Sequence, residues 1–165
     1  MIDFVRIPEE RMKVLKNDAS WKGKLKKFVD IKIKLNDEIS IEGEDIFHVM
    51  RVKEMFRAIG RGFDFDNSLD LLDEEYVMEV IELKDFAGKS RKRQTILKGR
   101  VIGTSGKIKK VIEDKTNVKI AIYGKTISII GMWKQAIVAK KAVEMLLSGS
   151  MHNTVYRFLQ RQRGI

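Results

Sequence analysis

The chain has 165 residues, with 33 Lys and Arg against 23 Asp and Glu for a formal net charge of +10, and 44% of it is hydrophobic. That is enough apolar material for one ordinary domain or two small ones, while nothing approaches the roughly 18 uninterrupted apolar residues of a membrane span. The absence of cysteine excludes disulfides, thiolate zinc sites and cysteine nucleophiles together, and the amino-terminal run has no charged-then-apolar signal pattern, so a cytoplasmic setting is expected.

In chain order, Asp3–Ile7 reads as a first strand, and Pro8 suits the first turn of a helix. Trp21 and Leu25 have the spacing of an inward helical face. Ile31–Leu35 alternates as a half-buried strand, Ile39–Glu42 follows as another, and Gly43 ends it. Ile46, Val49, Val52, Met55 and Ile59 then predict a closing amphipathic helix. The segment after it is acidic: residues 64–88 hold 9 Asp and Glu against 1 Lys. Asp64, Asp66, Ser68, Asp70 and Glu75 fall at the ligand spacings of a calcium loop. The sixth position, which needs glycine for the sharp turn, is Leu69. A short helix capped near Asp66 or Ser68 is expected instead, with Leu69, Leu71 and Leu72 available for packing.

From Tyr76 the pattern starts again. Tyr76–Leu83 reads as a strand, and Ser90–Ile102 as a helix. Then comes Gly103-Thr104-Ser105-Gly106, followed by Lys107 and a second helix with Ile108, Val111 and Ile112 facing inward. Val118–Ile122 and Ile127–Ile130 are strands joined by a turn at Tyr123–Thr126. A long helix carries Trp133, Ile137, Lys140, Val143, Leu146 and Leu147. The tail from Thr154 reads as a short helix. Val155, Phe158 and Leu159 can face a core there, and Arg157, Arg161 and Arg163 stay out.

The Gly-x-x-Gly tetrapeptide is the candidate site. A tight turn between two helices brings bare backbone N–H groups and a helix N-terminus to the surface together, and both attract phosphate. Lys107 and Lys110 flank it, and Arg100 precedes it. Residues 89–125, which contain it, hold 12 Lys and Arg against 2 Asp and Glu, a surplus equal to that of the whole chain. Such a concentration on one module is the footprint of a polyanion partner. The element order strand, helix, Gly-x-x-Gly, helix, strand, strand, helix is that of a type I KH domain, whose loop clamps about four single-stranded nucleotides. Ile102, Ile108 and parts of Val118–Ile122 would floor the groove. Ile108, Ile120 and Ile122 are also open to a plain core role.

The first part of the chain repeats the plan at a period of about 87 residues. Trp21 and Leu25 match Ile108 and Ile112, Ile31–Leu35 matches Val118–Ile122, and Ile39–Gly43 matches Ile127–Gly131. Where the second copy has its glycines, the first has Lys16–Ala19, with Asp18 at a phosphate's place. The expected architecture is α+β: two tandem type I KH domains (βααββα). A degenerate copy without Gly-x-x-Gly covers 1–62, an acidic helical linker 63–75, and a copy with the loop and a C-terminal helical extension 76–165. The first copy is expected to have lost phosphate clamping through its loop and to serve packing or protein docking. Lys22, Lys24, Lys26 and Lys27 remain able to touch RNA.

No catalytic constellation stands out. His48 and His152 are far apart, no metal-ligand spacing survives inspection, and Gly99–Ile108 fails as a P-loop because Val101 and Ile108 stand where glycine and Ser or Thr are required. No cofactor is expected.

Taken together, Ala58–Phe63, Leu71–Ser90, Lys98–Glu113, Tyr123–Gly131 and Ser148–Gln160 resemble the archaeal KH-domain ribosome-assembly proteins. These are related to the eukaryotic "partner of Nob" protein, which accompanies the endonuclease that matures the 3′ end of small-subunit ribosomal RNA. The resemblance implies a non-catalytic RNA-binding factor in which the second KH copy keeps the glycine loop. It implies as partners the 3′ region of small-subunit rRNA, the maturation endonuclease and the alpha subunit of initiation factor two. On that reading Arg100, Ile102, Gly103, Thr104, Ser105, Gly106, Lys107, Ile108 and Lys110 bind RNA. A general KH module in mRNA decay or translation, and a protein-docking adaptor, are the alternatives.

Overall fold

A computed structural model describes residues 1–162; Arg163 lies outside them. The fold mixes helix and sheet, and it divides between Tyr76 and Val77 into two compact units.

In the first unit β1 (Ile2–Val5) leads to α1 (Glu9–Asn17) and α2 (Ser20–Lys26), then to β2 (Lys32–Leu35), β3 (Ile39–Glu42) and α3 (Ile46–Gly60). Its sheet has the order β1-β3-β2 with both pairings antiparallel. Alternation puts Val5, Ile39 and Ile41 on one face, where they meet Val49, Val52, Met55, Phe56 and Ile59 of α3 and Trp21 and Leu25 of α2. Trp21 packs edge-on to Phe56, ring centroids 5.5 Å apart, and its Nε1–H donates to Leu15 O at 3.0 Å. Asp45 caps α3 by accepting from Phe47 N at 2.9 Å. Ile46, expected inward, is 55% exposed instead.

The acidic segment 63–75, expected as a linker, belongs to this unit. It forms α4 (Phe65–Ser68) and a 3-10 turn, Leu69–Leu72, both packed on α3. Leu71 is buried, and Phe65, Leu69 and Leu72 lean on the core. The cap of α4 is Asp64, which accepts from Asn67 N at 2.7 Å, rather than Asp66 or Ser68.

The second unit runs β4 (Tyr76–Glu82), α5 (Lys84–Ala87), α6 (Arg91–Ile102), a 3-10 turn at Thr104–Gly106, α7 (Lys107–Thr116), β5 (Lys119–Tyr123), β6 (Thr126–Met132), α8 (Trp133–Leu147) and α9 (His152–Arg161). Its sheet order is β4-β6-β5, the same inside-out arrangement as in the first unit. The inward face of α8 is Ala136, Ala139, Ala142, Val143, Leu146 and Leu147, while Trp133 and Ile137 are half exposed. Side-chain size misleads there: the alanines are inward because they let the helix lie close to its neighbours. The tail helix α9 buries Val155 and Leu159 in this core, packing on α7 and α8, and leaves Arg157 and Arg161 exposed.

Two details recur at matching places in both units. A Cβ on Gly43 would stand 2.5 Å from Ile31 Cδ1, and one on Gly131 would stand 2.6 Å from Val118 Cγ1. Arg11 donates from Nε to Ile59 O and from Nη2 to Phe63 O, both at 2.8 Å. Arg100 likewise donates from Nε to Leu146 O at 2.9 Å and from Nη2 to Ser150 O at 2.6 Å. Each guanidinium thus ties the C-terminal end of the closing helix to the helix before the loop.

Candidate nucleic-acid interface

The Gly103–Gly106 turn ends α6 and starts α7. Gly103 N donates to Gly99 O at 2.9 Å, Gly106 N to Gly103 O at 3.2 Å, and Lys107 N to Thr104 O. The amides of Thr104 and Ser105 donate to none of these carbonyls, and both residues are exposed. Three of the turn's four residues take positive φ: Gly103 at 75°, Ser105 at 56° and Gly106 at 74°. For Ser105 this left-handed conformation is uncommon and costs roughly 1–2 kcal/mol. Turns with successive N–H groups left off the helix ladder can present them to an anion.

The two glycines serve different ends. A Cβ on Gly103 would fall inside the van der Waals envelope of Ile108 and lie 3.0 Å from Ile108 N, so Gly103 is required by the protein's own packing. A Cβ on Gly106 would meet nothing within 4 Å; that side of the turn is open. Ile108 is buried in the core, as are Ile112 and Ile120, with only 4% of Ile108 exposed, which agrees with the core role also open to it from the sequence. Ile102 is half-buried.

Lys107 and Lys110 are exposed in the first turn of α7, where no acidic residue stands. Cations at this end of a helix oppose its dipole and cost a few tenths of a kcal/mol each. Lys109 differs: it pairs with Glu113 at 3.3 Å. Arg100, expected to help hold phosphate, is half-buried and engaged on the end of α8; it positions α6 against α8.

The first unit handles the equivalent turn differently. Asp18 accepts from Ser20 N at 3.0 Å, and the hydrogen bonds from Ser20, its backbone first, hold the carboxyl below its ordinary value. Its own carboxylate therefore meets an amide at the start of α2.

Glu113 was not singled out in the sequence. Besides Lys109, its carboxylate reaches across from α7 to accept from Ile120 N on β5 at 2.9 Å. The only sequence signal was its i, i+4 spacing from Lys109.

Residues 77–164 match the family described as eukaryotic type KH-domain (KH-domain type I). The KH domain-containing protein MJ0443 of Methanocaldococcus jannaschii is 37% identical over 98% of this chain and 74% of its own length. The RNA-binding protein pno1 of Drosophila melanogaster is 33% identical over 70% of this chain.

The chain belongs to the PNO1-like family of KH-domain proteins.

It spans 48% of the length of the Drosophila member. A chain in the crystal structure of the a/eIF2alpha–aDim2p–rRNA complex from Pyrococcus horikoshii OT3 superposes with a TM-score of 0.86, at 34% identity, covering 98% of this chain and 93% of that one. No described helix is long and apolar enough to cross a membrane.

Proposed function

We propose that this chain is a non-catalytic single-stranded RNA-binding factor of small ribosomal subunit assembly, and that its second unit holds a strand near the 3′ end of small-subunit rRNA. The observation that carries the reading is the turn at 103–106. Thr104 and Ser105 are exposed with amides that donate to none of the turn's carbonyls, the Gly106 side is open, and Lys107 and Lys110 have no carboxylate partner among the described residues where helix electrostatics disfavour them. A phosphate run past this turn receives N–H donors and relieves both lysines. Thr104, Ser105, Gly106, Lys107 and Lys110 make the contacts, and Ile102 borders the bases. Gly103, Ile108 and Arg100 hold the turn in shape.

The rRNA complex of the Pyrococcus relative supports rRNA as the ligand, and its initiation-factor component supports that alpha subunit as a protein partner. The maturation endonuclease belongs to the same proposal through the family resemblance. The first unit repeats the second's element order and sheet order, so we read the chain as two tandem type I KH folds. The first has its loop occupied by Asp18 and serves protein docking.

The test leaves both glycines alone, because a side chain at 103 would damage the fold. Thr104→Asp with Ser105→Asp places two carboxylates among those amides, and Asp tolerates the left-handed backbone at 105. In fluorescence anisotropy with an rRNA 3′-end oligonucleotide, affinity should fall at least about tenfold, with the thermal transition of the protein unchanged. Equal affinity in the variant would remove the turn from the interface. Equal affinity of the wild type for unrelated single strands would favour the general KH module.

A further inference from the structure

The positive charge of the second unit does not end at the turn. Residues 86–112 hold nine Lys and Arg and no Asp or Glu, and five of the nine lie on α6 or just before it: Lys89, Arg91, Lys92, Arg93 and Lys98. The first four are exposed and Lys98 is half-buried, and none of the five has an ion-pair partner among the described residues. Ser90 caps the helix by accepting from Arg93 N at 3.2 Å, a task that an acidic residue performs with the added favour of the helix dipole. The first turn of α1 carries Glu9 and Glu10, whereas that of α6 has no acidic residue and three cations that the dipole opposes.

At about 100° per residue, Arg91, Lys92 and Arg93 fan over about 200° of the helix circumference. Lys98 and Ile102, seven and eleven residues beyond Arg91, return to its flank and lead along the helix to the turn. The 12 residues of α6 span about 18 Å, so the fan stands one helix length from Thr104 and Ser105. Lys89–Lys98 contains no aromatic residue on which an unpaired base could stack.

We propose that this basic end of α6 holds the sugar-phosphate backbone of a double-helical RNA stem adjoining the single strand at the turn, which rests on the reading of the turn as a single-strand clamp. A stem presents two backbones on either side of a groove. A fan of cations meets both, whereas a strand lying in one groove passes a single side. The bases of a stem stack on one another and need no aromatic platform, and double-stranded RNA is recognised through phosphates, 2′-hydroxyls and shape rather than sequence. The fan therefore adds affinity without sequence preference. An acidic protein segment would meet the same charge. The flank running from Arg91 through Lys98 to Ile102 joins the fan to the single-strand path, and that continuity favours one RNA reaching both.

The inference is tested on the full chain with three probes in anisotropy titrations: the rRNA 3′-end single strand, a blunt RNA hairpin, and the hairpin joined to that strand. The joined probe should bind at least about tenfold tighter than the single strand, because its second contact is intramolecular. Lys89→Gln, Arg91→Gln, Lys92→Gln and Arg93→Gln combined should abolish that gain, leave single-strand affinity within about twofold and keep the thermal transition. Lys89→Gln with Lys92→Gln, a milder change, should lose part of the gain and gives the same readout should the fourfold variant fold poorly. A joined probe no tighter than the single strand overturns the proposal. So does a fourfold variant that keeps the gain, or one that loses the single strand equally. A blunt hairpin displaced as readily by a glutamate peptide as by a second hairpin overturns it too, in favour of an acidic protein segment. Thr104→Asp with Ser105→Asp should weaken the single strand and spare the blunt hairpin; failure of the turn reading would show in the first of these alone.

Discussion

Gly103 and Gly106 look alike in the sequence and differ in the fold. Gly103 combines a φ of 75° with a ψ of 177°, a region essentially reserved for glycine, and its missing Cβ makes room for Ile108. Gly103→Ala should therefore cost about 3 kcal/mol or more, from backbone strain and overpacking together. Gly106 has ordinary left-handed angles and open space beside it, so Gly106→Ala should cost only about 1–2 kcal/mol. Urea unfolding of both variants checks this; equal losses would mean that Ile108 yields more easily than its burial implies. The sequence identified the turn and its lysines. It could not say which glycine has open space beside it, because that depends on where Ile108 packs.

At the level of elements, the matched arginines tie helices together. Arg100 bridges α6 to the end of α8, and Arg11 bridges α1 to the end of α3, each through two carbonyls. A cation at a helix C-terminus is favoured by the dipole, and hydrogen bonds from a charged group contribute about 1.5–3 kcal/mol. Arg100→Ala and Arg11→Ala should each lower unfolding free energy by about 2 kcal/mol. Lysine should rescue little, since one ammonium lacks the planar fork that reaches both oxygens. Denaturant titration decides this, and full rescue by lysine would reduce the role to charge alone. The strands and helices themselves were legible because their periods are strong: the alternation in Ile31–Leu35 and the Ile108–Ile112 spacing both survive in the fold. On α8 Val143, Leu146 and Leu147 face inward as their spacing suggests, while Ala136, Ala139 and Ala142 stand there in place of Trp133 and Ile137, because periodicity rewards large side chains and close helix packing selects small ones. The acidic segment passed for a linker because its few leucines give no period; only the surface of α3 makes them a packed element.

Across the whole molecule, charge and turn chemistry act together. Single-strand binding through phosphate contacts should weaken linearly in log affinity against log salt, by about 0.7 per phosphate neutralised. Lys107→Ala with Lys110→Ala should lower that slope by about 1.4, whereas Arg100→Ala should leave it unchanged, because that guanidinium is engaged within the protein. Anisotropy titrations across a salt series measure both, and an unchanged slope in the double lysine variant would exclude those side chains from the phosphate path. Composition, the repeat and the Gly-x-x-Gly turn were determined by the sequence alone, since they depend on local pattern and on residues close in the chain. The tertiary structure decided which charges are available to a ligand. Arg100 is withdrawn onto α8 and Lys109 is matched by Glu113, while Lys107 and Lys110 stay exposed. Whether a charge finds an internal partner depends on residues brought together from different elements, and no local period records that.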